Sequence, residues 1–196
     1  MLQYRPPQWS AIKSSDTIHP RELCRAVQKL LDAPEAVLVC DGGEFGQWAQ
    51  ACLHAPQRII NGPAGSIGSA LPFAAAAKLA SPNAPVVALL GDGTFGFHMA
   101  EIDTALRYGL DYLAIVGNDA TWNAEYQIQV RAYGAERAHG LDLLPTRYGA
   151  VAAAMGAHGE DVFRIDELEG ALRRAVVAKK AACVNVMIER LPAPRY

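Results

Sequence analysis

Charge is scarce in this chain: Asp, Glu, Lys and Arg make up 19% of 196 residues, and the net charge is −2. With no run of Lys or Arg, it offers no counterpart to a nucleic-acid backbone or an anionic membrane surface. Cysteine is equally sparse. Cys24, Cys40, Cys52 and Cys183 show no CxxC spacing, and each falls within an apolar segment, so they read as buried, reduced thiols of a cytoplasmic protein. Residues 1–18 are polar and interrupted by Pro6 and Pro7, which excludes the apolar core of a signal peptide. The most apolar region, residues 70–90, is broken by Lys78, Pro82 and Pro85 and is no bilayer span. No Gly-Lys-Ser/Thr loop occurs, and no Lys or Arg lies between Lys78 and Arg107.

Hydrophobic residues, in contrast, make up 51% of the chain, enough for one domain with a sizeable core. Short apolar runs at 36–40, 58–60, 85–90, 112–116, 162–165 and 182–188 read as buried strands. Between them lie segments with helical periodicity. Pro20 suits the first turn of a helix striped by Leu23, Ala26, Val27, Leu30 and Leu31. Residues 69–80 read as a helix buried on nearly all sides, and 93–109 as one helix with Met99, Ile102, Leu106 and Gly109 on a face. Residues 121–134 read as loop and helix anchored by Trp122, Tyr126 and Tyr133. Residues 135–146 form a long connection, in which His139 reads as structural or solvated. Arg147 to Met155 forms a helix ending at Gly156. Asp166 and Glu169 suggest a capping box for the last helix. This alternation predicts an α/β fold, a doubly wound and mainly parallel sheet with helices on both faces. The domain spans 19–190, with a linker or arm at 1–18 and a tail at 191–196.

The most informative stretch is 85–122. It contains two strand ends, each followed by an acidic turn: Gly91-Asp92-Gly93 and, after 24 residues, Asn118-Asp119. A right-handed crossover between adjacent parallel strands puts both turns on the same sheet edge, where α/β sheets bind ligands. Two carboxylates converging there call for a cation, and hard oxygen donors suit Mg²⁺ or Ca²⁺. Gly91 and Gly93 let the backbone approach a bulky anion, and N–H groups opening the next helix can hold phosphate oxygens. Without a cationic side chain nearby, a phosphate must be neutralised mainly by metal. Metal-bridged diphosphate is the natural ligand.

These two turns and their spacing resemble the cofactor motif of thiamine diphosphate enzymes, in which GDG is followed some two dozen residues later by NN. The likeness covers nearly the whole chain and is closest to the C-terminal diphosphate-binding domain of the acetohydroxyacid synthase, benzaldehyde lyase and oxalyl-CoA decarboxylase group. It implies thiamine diphosphate and Mg²⁺ (or Ca²⁺) as cofactors. By position, the metal ligands become Asp92, Asp119 and the carbonyl of Thr121, with Asp119 standing where the family has Asn. Gly91, Gly93 and Thr94 flank the metal carboxylate. The glycine turn after residue 40 implies phosphate contacts from Gly43, Glu44 and Phe45, with the Glu44 side chain turned away. Gly65 implies a backbone contact to the aminopyrimidine, and Ile67 the side chain that bends the cofactor. Trp122, Asn123 and Gln127 become candidates for the substrate pocket. No catalytic side chain is assigned.

The resemblance further implies that a pyrimidine-binding domain, on the same or another chain, supplies the activating glutamate, in a homodimer or tetramer acting on a small 2-oxo acid or aldehyde. The isolated chain then binds Mg²⁺-diphosphate weakly and is inactive or nearly so. The alternative is a non-catalytic domain that keeps the fold while Asp119 impairs the site. A flavodoxin-like or nucleotide-binding domain is the weaker third reading.

Overall fold

The computed structural model describes residues 17–61 and 64–194, so the expectations for the arm before Thr17, for Gly62 and Pro63, and for the last two residues lie outside it. Among the described residues, six strands form one wholly parallel sheet: β1 (Val37–Asp41), β2 (Gln57–Ile60), β3 (Val86–Gly91), β4 (Leu113–Asn118), β5 (His158–Val162) and β6 (Ala182–Met187). Their order is β2-β1-β3-β4-β6-β5. The helices are α1 (Pro20–Gln28), α2 (Gly43–Cys52), α3 (Ala70–Ala80), α4 (Asp92–His98), α5 (Glu101–Arg107), α6 (Asn123–Tyr133), α7 (Tyr148–Ala154) and α8 (Ile165–Val177).

Strand alternation divides the core in two. Leu38, Cys40, Leu89, Ile115 and Val184 face one layer, where Leu23 and Val27 of α1, Phe45 and Trp48 of α2 and Leu168 and Leu172 of α8 pack. Val37, Val39, Ala88, Leu90, Ala114 and Cys183 face the other, under Leu71 and Ala74 of α3, Phe95 of α4, Ile102 of α5 and Ala152 of α7. This is the doubly wound α/β architecture. Helices α2 and α4 leave β1 and β3 on opposite faces, so the switch in winding falls between these two strands and opens a crevice at their carboxyl ends.

Several local expectations are corrected. The helix expected over 93–109 is two helices: Met99 and Ala100 keep right-handed dihedrals, but Ile102 N and Asp103 N bond back three residues, to Met99 O and Ala100 O. Met99 is exposed while Ile102 is buried. Helix α3 buries one face only; Phe73 and Leu79 stand exposed, whereas Lys78 is buried and paired with Asp111 at 2.9 Å. Tyr133 is exposed rather than an anchor.

The fifth strand precedes the apolar run expected at 162–165, because it is a polar edge strand whose charges are paired. Glu160 bonds Arg174 and His158, and Asp161 accepts from Gly149 N and Ala150 N at the start of α7. The capping carboxylate of α8 is Glu167, which accepts from Phe163 N and Arg164 N at 3.2 Å each, instead of the Asp166/Glu169 pair. The four cysteines are reduced; Cys52 is only half-buried. Among the described residues no helix is long and apolar enough to cross a membrane.

Candidate functional site

The crevice at the carboxyl edge is an open cleft of about 280 Å³, walled by the turns after β1, β2, β3 and β4. Each wall has a local cause. Asp41 closes β1 fully buried, and its Oδ2 accepts from Gly68 N (2.9 Å), Ala70 N (2.8 Å) and Ser69 Oγ (3.3 Å), which pulls the glycine loop and the start of α3 against the strand. The Gly68 carbonyl meets His98 Nδ1 at 2.8 Å on its other side. Gly43 turns the chain into α2 at φ +52, beyond ordinary L-residue reach. Glu44 is directed away from the cleft floor: its Oε1 accepts the N–H of Ala193 at 2.7 Å. Asn61, Gly65 and Ile67 line the cleft from the loop after β2.

Asp92 opens α4 directly behind β3, 2% exposed, and its Oδ2 is buried without a protein partner. Burial pushes this carboxyl up to about 6, while backbone N–H groups of Gly93, Thr121 and Ala120 pull the other way. Asp119 follows β4. Burial first, and then the Asp92 charge, pushes it up to about 7 against a 2.7 Å hydrogen bond from Asn123 Nδ2. The two predicted carboxylates therefore share one cleft, and Asp119 lies close enough to feel the Asp92 charge.

Thr121 completes the set. It pairs with Asp142 as an antiparallel bridge whose hydrogen bonds are Trp122 N to Leu141 O and Leu143 N to Ala120 O. In that pattern the N–H and C=O of Thr121 itself point away from Asp142, and the N–H meets the Asp92 carboxylate.

Two aromatic rings lie against bare backbone. A Cβ on Gly93 would come within 2.4 Å of the Trp122 ring, and one on Gly117 within 2.4 Å of the Phe45 ring. Gly91, Thr94, Trp122 and Asn123 also line the cleft. Gln127 does not; its Nε2 holds Asn123 Oδ1 at 3.0 Å. His139 is exposed, its backbone paired with Gln129.

Sequence reasoning missed Gly42, Gln47, Gln50, Asn61, Gly117, Ala124 and Glu125, which share the lining. Only Gly117 carried a readable signal, since a glycine inside a strand often marks a close approach. Gly91, Gly93 and Gly96 also have the G-x-G-x-x-G spacing of dinucleotide-binding turns. Here, however, the residue between the first two glycines is a buried carboxylate, which would repel a pyrophosphate unless a cation lay between.

The donor set fits such a cation. No Lys or Arg lines the cleft among the described residues, and none of them form a group of three His, Cys, Asp or Glu able to hold a metal. A hard cation here would therefore take two carboxylates plus a backbone carbonyl, and the unpartnered Asp92 Oδ2 supplies a donor.

Comparison with known proteins adds likenesses along most of the chain. The family profile described as the C-terminal TPP binding domain of thiamine pyrophosphate enzymes matches residues 41–186. The large subunit IlvG of acetolactate synthase from Mycobacterium tuberculosis is 36% identical over 176 residues, covering 88% of this chain and 32% of that protein. Sulfoacetaldehyde acetyltransferase from Castellaniella defragrans is 33% identical over 181 residues, 88% of this chain and 30% of the relative. Human 2-hydroxyacyl-CoA lyase 2 is 35% identical over 153 residues, 76% of this chain and 24% of the relative. The chain thus spans about a third or less of the length of these relatives.

Proposed function

Because the chain belongs to the family of C-terminal TPP-binding domains of thiamine pyrophosphate enzymes, we propose that it is the Mg²⁺- and diphosphate-binding part of an enzyme that makes or breaks a C–C bond next to a carbonyl. The observation that carries this is the convergence of Asp92 and Asp119 beside Thr121 in a cleft that has no lining Lys or Arg among the described residues. Asp92, Asp119 and the Thr121 carbonyl would hold Mg²⁺ (or Ca²⁺), whose charge then neutralises the diphosphate. Backbone N–H groups at Gly43, Glu44 and Phe45 opening α2, and at Gly93 and Thr94 behind β3, would hold phosphate oxygens. Gly65 and Ile67 would meet the thiamine rings. Trp122 and Asn123, at the cleft's outer wall, would shape the substrate space.

Thiamine diphosphate, when bound, supplies a nucleophilic carbon and accepts the electron pair released on cleavage. The chain's own groups bind, orient and neutralise; none of its described side chains is assigned the activating proton transfer. That role falls to a pyrimidine-binding domain of the same or another chain, in keeping with relatives about three times as long. The substrate is a small 2-oxo acid or aldehyde, the assembly a homodimer or tetramer, and residues 19–190 the binding domain between two short flanks. The relatives' names, a synthase, an acetyltransferase and a lyase, support this reaction class without selecting one member.

One feature favours a second reading. Asp119 adds a negative charge where the family has Asn, and its carboxylate is already engaged by Asn123, as in a domain that keeps the fold but has lost the ligand. Thermal denaturation with Mg²⁺ and thiamine diphosphate separates the two. At ligand 100-fold above Kd, stabilisation is about 2.7 kcal/mol, several degrees in melting temperature. The proposal expects that rise for the parent and its loss in Asp92→Ala. No rise in either supports the degenerate domain.

A further inference from the structure

The cation-binding turn takes its shape from a buried hydrogen-bond chain that begins outside the cleft. Ala120 sits between two proposed ligands at φ +53, a left-handed conformation that a side chain disfavours. Its N–H donates to Asn118 Oδ1 at 3.1 Å. The Asn118 amide nitrogen donates to Asn185 Oδ1 (3.1 Å) and Thr146 O (2.9 Å). Asn185 Nδ2 donates to Asp161 Oδ1 at 2.9 Å. Asp161 is anchored by Gly149 N, Ala150 N and Arg147 Nε.

Asn118 and Asn185 are both 0% exposed. In the β4–β6 register Asn185 pairs with Val116, two residues before Asn118, so both amides lie on one face of the sheet. Asn185 interrupts the otherwise apolar strand β6, where a Leu would fill similar volume without burying an amide.

The order of partners sets polarity along the chain. A carboxylate only accepts, so Asp161 fixes the NH₂ end of Asn185 towards itself and leaves the oxygen for Asn118. Flipping Asn118 would bring its oxygen against Asn185 Oδ1 and Thr146 O, both acceptors. Its oxygen is therefore held towards the turn, where it accepts the Ala120 N–H. No member of this chain apart from Ala120 lies between the proposed ligands, and neither Asn118 nor Asn185 lines the cleft.

We propose that Asn185 is a positioning residue for divalent-cation binding: through Asn118 it holds the Ala120 peptide so that the Asp119 carboxylate and the Thr121 carbonyl face Asp92. This rests on reading the cleft as a Mg²⁺–diphosphate site. The Asn185→Leu variant keeps the side-chain volume and deletes the relay.

The test measures Mn²⁺ binding by electron paramagnetic resonance in the presence of thiamine diphosphate, with folding checked by circular dichroism in EDTA. Loss of an outer partner to a metal ligand typically weakens binding 10–100-fold, and that loss is expected for Asn185→Leu while the fold persists. Adding Ala120→Gly, which adopts φ +53 unaided, is expected to restore most of the affinity, an effect that mere core packing would not produce. If Asn185→Leu does not fold, Asn185→Ser, too short to reach Asn118 and Asp161 at once, carries the same expectation. A folded variant that binds like the parent, or a loss that Ala120→Gly leaves unchanged, overturns the role of Asn185 alone. A parent that binds no Mn²⁺ overturns the site reading and this inference with it.

Discussion

Asp92 and Asp119 ionise near 3.8 when unfolded, but in the folded chain they are pushed up to about 6 and about 7 by burial, and Asp119 also by the Asp92 charge. Below pH 3.8 both states carry the protons and the pair contributes no penalty. Between about 4 and 7 the folded state keeps protons that the unfolded state has released, so stability falls as pH rises and levels off above about 7. In EDTA the chain is therefore expected to melt higher at pH 5.5 than at pH 8. Saturating Mg²⁺ with thiamine diphosphate, or Asp119→Asn, should flatten that slope; equal slopes in all three samples would contradict the coupling. Gly117 gives a second residue-scale test. Its missing Cβ makes room for Phe45, so Gly117→Ala is expected to cost about 1–3 kcal/mol in chemical denaturation. It should also displace the α2 turn, weakening thiamine diphosphate in titration calorimetry.

Among the elements, the strands with mainly apolar runs, β1, β3, β4 and (Asn185 apart) β6, could be read from sequence because burial on both faces leaves a plain signature. The acidic turns followed from where those runs stop. What could not be read was set by partners distant in sequence. The polar strand β5 is stable because Glu160 and Asp161 find Arg174, Asn185 and the start of α7. The break between α4 and α5 has no Gly or Pro to announce it. Composition made α3 read as buried on nearly all sides, because Phe73 and Leu79 carry no sign that their side faces outward. Of the residues that line the cleft, Asp92 and Asp119 were legible from where two strands end and Thr121 only through the family resemblance, whereas Gln50 and Asn61 reach the lining only through tertiary folding.

The Glu44 contact is likewise invisible to spacing, since it spans 149 residues to Ala193. Glu44→Ala leaves a buried N–H unpaired and is expected to cost about 1–3 kcal/mol. It should also speed carboxypeptidase trimming of the C-terminal segment, with Glu44→Gln closer to the parent. Equal trimming in all three would show that Glu44 does not hold that segment.

For the whole molecule, the sheet brings four turns to one edge and leaves the exposed apolar residues Phe73 and Leu79 on α3. The chain spans about a third of the length of its relatives; in the proposed reading it would supply the cation and diphosphate contacts, and a pyrimidine-binding domain of the same or another chain the activating group. Turnover of 2-oxo acids by these 196 residues alone is expected to be absent; measurable turnover would contradict the division of labour. The central claim concerns one ion, and anomalous diffraction from a crystal grown with Mn²⁺ and thiamine diphosphate addresses it directly. A single Mn²⁺ peak ligated by the Asp92 and Asp119 carboxylates and the Thr121 carbonyl is the predicted result. A peak elsewhere, or the two carboxylates on separate ions, would contradict the account.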